Sequence, residues 1–298
     1  MTGLNSVLRR PGRLALVLLA GLLAACSGSD DASPAAPGGS ARQQPVTKYD
    51  LANGCFVLKA QAGSRYAVKA GDGSYQATAA TLAGGEPLFM KPTALGSYLL
   101  SARDATLLAA SGAGTGSVDN ASEAAEWLVE TTSAGDFTLT SGLTGKALAV
   151  DAASGRLIQA EAPSAFRFER ASGCTSFPEI TVNASGEGFK GTLANGQVLG
   201  FADAHVHISA TDFLGGAHYG NPFHRFGVAH ALGDCKERHG DNGSQDLVGN
   251  LYATDPLAQH DTQGWPTFVS WPAAHSLTHE GMYYKWVERA WKAGLRIM

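Results

Sequence analysis

GCFVLKA (54–60) returns as GSYLLSA (96–102) and again as GDFTLTS (135–141), each time with a glycine, an aromatic residue two places on and then a leucine. PLFMKPT (87–93), EWLVETT (126–132) and AFRFERA (165–171) close the three units. Leu88, Trp127 and Phe166 are spaced by 39 and 39 residues, as are Met90, Val129 and Phe168. A period of this length marks an internal repeat. Between opener and closer lie RYAVKA, ATLLAAS and KALAVD, short alternating stretches separated by turns such as GDGS and AASG, which predict strands.

Three units of about 40 residues, each with about four short strands, resemble the β-trefoil of fascin-like or ricin-B-like domains. The resemblance covers residues 46–174 and predicts an all-β domain there. Cys55 and Cys174 stand at the two ends of this segment and form the natural disulfide pair. In a trefoil the first and last strands are neighbours, so the bond would tie the ends together. Trefoils often bind sugars, which makes a glycan a candidate partner. Here the aromatics sit where the repeat needs its core, and the ricin-type Gln-x-Trp signature is absent, which favours a spacer or accessory role.

The front of the chain has a different character. Arg9, Arg10 and Arg13 precede an apolar run from Leu14 to Leu23, the layout of a cleaved export signal. Leu23-Ala24-Ala25-Cys26 resembles the lipobox of bacterial lipoproteins, which implies residues 1–25 as signal peptide, Cys26 as the lipidated residue and a membrane partner through the lipid. Residues 26–45, rich in Ser, Gly, Pro and Ala, are expected to be a flexible tether. The chain is therefore expected to be exported and lipid-anchored at the cell envelope. A net charge of −4 carries no basic footprint and excludes general nucleic-acid binding. Glycine at 37 of 298 residues and only 16% charged residues suit a turn-rich β protein.

All nine histidines lie between His205 and His279. After a connector with a hairpin at Asn195-Gly196 (175–199), FADAHVHIS (201–209) is expected to be a strand. On a strand Asp203, His205 and His207 would share one face, and two imidazoles there can hold a divalent metal. The segment resembles the first strand of the amidohydrolase superfamily, and more narrowly the membrane-dipeptidase-like proteins. His207 departs from the His-x-Asp of true dipeptidases.

The resemblance implies an α/β (β/α)8 barrel opening at residue 200, so that the whole chain is multidomain. It also implies His205 and His207 as metal ligands, Asp203 as a supporting catalytic group, one or two zinc ions, and hydrolysis of an amide, peptide or ester bond in a small-molecule or peptide substrate. A helix beginning at Ser276, with Met282, Tyr283, Trp286, Val287, Ala290 and Trp291 at spacings of three and four and Gly294 as its cap, fits a strand–helix–strand unit. Since 200–298 is too short for a barrel of about 200 residues or more, the barrel is expected to be incomplete and this chain a fragment.

Between strand and helix, His218, His224, His230, His239 and His260, taken singly, read as solvated loop residues, and Trp265 and Trp271 as packing groups. Cys235 is left over. Two other functions fit the same residues: a phosphoesterase of the polymerase-and-histidinol-phosphatase type, which also opens with His-x-His, and a non-catalytic surface glycan-binding lipoprotein.

Overall fold

The computed structural model describes residues 44–185, 188, 192–208, 217–252, 257–272 and 276–298. Cys26, the export signal and most of the tether lie outside them, as do Ser209 to Gly216.

The repeat folds into twelve strands, four per unit. These are β1 (Cys55–Ala60), β2 (Arg65–Lys69), β3 (Tyr75–Ala79) and β4 (Pro87–Ala94); β5 (Ser97–Ser101), β6 (Leu107–Ser111), β7 (Gly114–Val118) and β8 (Glu126–Thr131); β9 (Phe137–Ser141), β10 (Ala147–Val150), β11 (Leu157–Ala160) and β12 (Phe166–Arg170). The first and last strand of each unit pair around a closed ring, β1 with β4, β4 with β5, β5 with β8, β8 with β9, β9 with β12 and β12 back to β1. The inner strands of each unit form the hairpins β2–β3, β6–β7 and β10–β11. Bridges from Ile158 to Gly114 and from Gln76 to Arg156 join these hairpins into a cap. A six-stranded barrel capped by three hairpins is a β-trefoil, and closure leaves no barrel edge unpaired.

The repeated positions are the reason this ring closes on a core. Phe56, Tyr98 and Phe137, Leu58, Leu100 and Leu139, Leu88, Trp127 and Phe166, and Met90, Val129 and Phe168 are each 2% exposed or less. Burial of each large side chain stabilises by about 1.5–3 kcal/mol relative to exposure. The two polar handles in this layer are satisfied: Tyr98 Oη donates to the Lys48 carbonyl at 2.6 Å and Trp127 Nε1 to the Leu108 carbonyl at 2.9 Å. Cys55 and Cys174 are joined, with Cα atoms 5.7 Å apart across a separation of 119 residues.

The remaining residues form a C-terminal arm (175–298) of a kind that corrects the expected architecture. Its regular elements are β13 (Phe201–Ala202), α1 (Val228–Ala231), α2 (Lys236–His239), α3 (Leu247–Tyr252), α4 (Tyr284–Ala293) and β14 (Leu295–Ile297). Among the described residues there is no α/β barrel: β13 pairs in parallel with β14 alone. β13 stops at Ala202, so Asp203, His205 and His207 follow the strand instead of standing on it.

The helix expected from Ser276 starts at Tyr284, because the preceding residues are drawn into tertiary bonds. Glu280 accepts the Met282 N–H at 2.7 Å, its carbonyl accepts Trp271 Nε1 at 3.0 Å, and Tyr283 is fully buried. Gly294 ends the helix at φ 118°, a left-handed cap that favours glycine. At Asn195-Gly196 the chain turns, with Leu193 N–H bonded to the Gln197 carbonyl at 2.6 Å.

Two features hold the arm. Val228, Ala231, Leu232, Cys235, Trp271 and Tyr283 make a small core, with Trp265 packed against it. Phe226 and Phe177 pack on Leu99, Leu107 and Ala109 of the trefoil, and Arg225 pairs with Glu126 and Glu123 at 2.9 and 3.1 Å. Gln43 to Met298 form one unit.

Candidate functional site

Asp203, His205 and His207 are exposed. His205 and His207 stack with ring centroids 4.8 Å apart and Nε2 atoms 2.6 Å apart, so one ring N–H donates to the other. Asp203 accepts the His205 backbone N–H at 3.2 Å.

They rim a pocket of about 550 Å³ whose far wall is His218, His279 and Glu280. His218 Nδ1 and Glu280 Oε2 are buried there with no hydrogen-bond partner among the described residues. Burial first, then the neighbouring His239, hold His218 below the usual histidine value. Burial, followed by His239, His260 and His218, drives His279 down to about 2, so its ring is neutral. Burial pushes the Glu280 carboxyl up. Behind this wall Cys235, His239 and His260 converge on His279. The sequence carried a weak sign of that convergence in the four-residue step from Cys235 to His239, which places both on one helical face.

A second opening, a cleft of about 700 Å³, lies where the arm meets the trefoil. Its trefoil side is β4, with Phe89, Lys91, Thr93 and Leu95, and its arm side carries Phe177, Glu179, Phe223, Tyr284 and Lys285. The Phe223 ring is 57% exposed and meets Tyr284 edge-on at 5.7 Å. Phe177 is covered by Lys91, whose Nζ lies 5.2 Å from the ring centroid and donates to the Arg225 carbonyl at 3.0 Å. Burial holds that ammonium below the usual lysine value. Glu179 accepts the Tyr283 hydroxyl at 2.9 Å and the Ile180 N–H at 3.0 Å. Burial pushes the Tyr284 phenol up to about 12, so it stays protonated. Thr93 Oγ1 is buried in the cleft wall and has no hydrogen-bond partner among the described residues.

No family model and no curated protein matches the chain in sequence. In structure it is similar to the designed threefold-symmetric protein ThreeFoil, at 17% identity, over 39% of this chain and 99% of that one, with a TM-score of 0.36. SeviL, solved bound to the asialo-GM1 saccharide, matches at 14% identity over 40% of this chain and 98% of that one, also at 0.36. A GlcNAcα1-4Gal-releasing endo-β-galactosidase from Clostridium perfringens matches at 10% over 40% and 33%, again at 0.36. The trefoil assignment rests on the strand pairing itself.

The resemblance to amidohydrolases is corrected. The barrel whose face would hold a zinc hydrolase site is not formed among the described residues, where β13 pairs with β14 alone.

Proposed function

We propose that the chain is a non-catalytic glycan-binding protein of the cell envelope, exported by its N-terminal signal, anchored through Cys26, and binding carbohydrate in the cleft between β4 and the arm. The observation that carries this reading is an exposed aromatic surface, Phe223 edge-on against Tyr284, set in one cleft with the polar side chains of Asn53, Glu179 and Lys285. A pyranose ring offers an apolar face of C–H groups and a rim of hydroxyls. The cleft offers an aromatic surface for the first and Glu179, Asn53 and Lys285 for the second. The Cys55–Cys174 bond fits an oxidising compartment.

The test is a glycan array probed with the chain carrying Cys26→Ser and lacking the signal, beside its Phe223→Ala variant. Saturable binding to a defined set of glycans, lost in the variant, is expected. Absence of binding, or binding that Phe223→Ala leaves intact, refutes the cleft as the site.

A further inference from the structure

Cys235, His239, His260 and His279 come from three separate stretches of the arm: the N-cap and last residue of α2, the 257–272 stretch and the 276–283 stretch. Their donor atoms all lie within 4.8 Å of one another. Cys235 Sγ is 3.3 Å from His260 Nε2, and His239 Nδ1 is 3.1 Å from His279 Nε2. Four ligands of a tetrahedral ion with bonds of 2.0–2.3 Å stand about 3.3–3.8 Å apart, so sub-ångström adjustments suffice.

The surroundings aim the donors inward. His239 Nε2 sits 2.6 Å from the Ala217 carbonyl, which can only accept, so Nε2 carries the hydrogen and the Nδ1 lone pair faces the cluster. His279 Nδ1 is 2.9 Å from Ser276 Oγ. With that N–H donated to the serine, the Nε2 lone pair faces the same point. A ring nitrogen held by a hydrogen bond opposite the ligating nitrogen is the usual support of a metal-bound histidine. Asp246, 3% exposed, places Oδ2 3.8 Å from His239 Nδ1 and is held by Thr278 Oγ1 at 2.6 Å and the Gly249 N–H at 2.9 Å.

We propose that Cys235, His239, His260 and His279 hold one divalent first-row transition-metal ion in a closed, structural, tetrahedral site. Binding breaks the Cys235 S–H bond, releases its proton to solvent and forms a metal–thiolate bond, while the three imidazoles bind as neutral rings. A 2+ ion with one thiolate leaves a single positive charge, and the Asp246 carboxylate beside His239 balances it. Four protein donors leave no open position for substrate, which makes the ion a staple rather than a catalyst. The arm has use for one: α1, α2 and α3 are 4, 4 and 6 residues long, only α4 reaches 10, and among the described residues its own core is one small cluster. This inference is independent of the glycan-binding proposal.

Cobalt(II) titrated into the chelator-stripped, disulfide-intact chain carrying Cys26→Ser tests it, because Cys235 is then the sole free thiol. One cobalt per chain is expected, with strong four-coordinate visible bands, a thiolate-to-cobalt charge-transfer band in the near ultraviolet, and protection of Cys235 from alkylation. Cys235→Ser should lose the charge-transfer band, and the His205→Gln/His207→Gln double variant should keep it. Absence of the band in the parent chain, or its survival in Cys235→Ser, overturns the proposal, as does its loss in a folded His205→Gln/His207→Gln protein. Should Cys235→Ser fail to fold, the parent spectrum and thiol protection still decide.

Discussion

Arg225 of the arm sets Nη1 2.9 Å from Glu126 Oε2, a carboxylate whose side chain is only 8% exposed on the trefoil surface. The guanidinium also reaches Glu123 at 3.1 Å and covers the Phe226 ring at 4.5 Å. Since Glu126 is nearly buried and Arg225 is not, removing the arginine strands a charge that water barely reaches. Arg225→Ala is expected to destabilise the docked arm by about 1–3 kcal/mol. Arg225→Ala combined with Glu126→Gln should recover part of that loss. Denaturant unfolding of the four members of this cycle measures it, and additivity of the two losses would show that the pair does not couple.

The bond between Cys55 and Cys174 closes a loop of 119 residues that spans the whole repeat. Cys55→Ala/Cys174→Ala is expected to lower stability by about 2–5 kcal/mol, chiefly by freeing the unfolded chain. Chemical denaturation with and without reductant checks this, and the double variant should be insensitive to the reductant.

His224 stacks on His230 at 5.1 Å and accepts the Phe226 N–H through Nδ1 at 3.1 Å, so its neutral form is the one the fold uses. Burial first, then His230, Arg225 and Lys91, hold it below the ordinary value of 6.5. With the folded value depressed, the unfolded chain takes up the proton first as pH falls. The contribution is complete above 6.5 and is lost progressively below it. Stability of His224→Asn, which keeps an acceptor, should therefore fall less steeply than that of the parent between about pH 7 and pH 5. Parallel slopes in stability–pH curves would contradict this. His218, His260 and His279 shift in the same direction in both proteins, so the difference isolates His224.

Phe223 is exposed and contributes little to the core, yet it forms the open wall of the cleft. Phe223→Ala is expected to change stability by less than about 0.5 kcal/mol while weakening glycan binding by about tenfold or more. Calorimetric titration beside a thermal melt separates the two effects, and a large fall in melting temperature would assign the ring a structural role instead.

The trefoil was legible because its signal is periodic. Leu88, Trp127 and Phe166 recur at a fixed spacing, and each is buried at the equivalent point of its unit. The arm was less legible because its signals were local. FADAHVHIS alternates like a strand, but the parallel pairing with Leu295–Ile297 registers Phe201 and Ala202 and ends with the Asp203 N–H on the Ile297 carbonyl at 2.9 Å. The helical pattern before Tyr284 was real as periodicity, yet Tyr283 is used by the core of the arm and Met282 N–H by the Glu280 carboxylate.

The amino-acid sequence by itself determined the all-β repeat, its twelve core positions and the candidate disulfide, because a repeated pattern of apolar residues states which side chains must face inward whatever the loops do. Only the tertiary structure decided that Cys235, left over in sequence, sits 3.3 Å from His260, and that Phe223 and Thr93 line one cleft. Those contacts join residues far apart in an aperiodic arm, and no local propensity encodes where such loops converge.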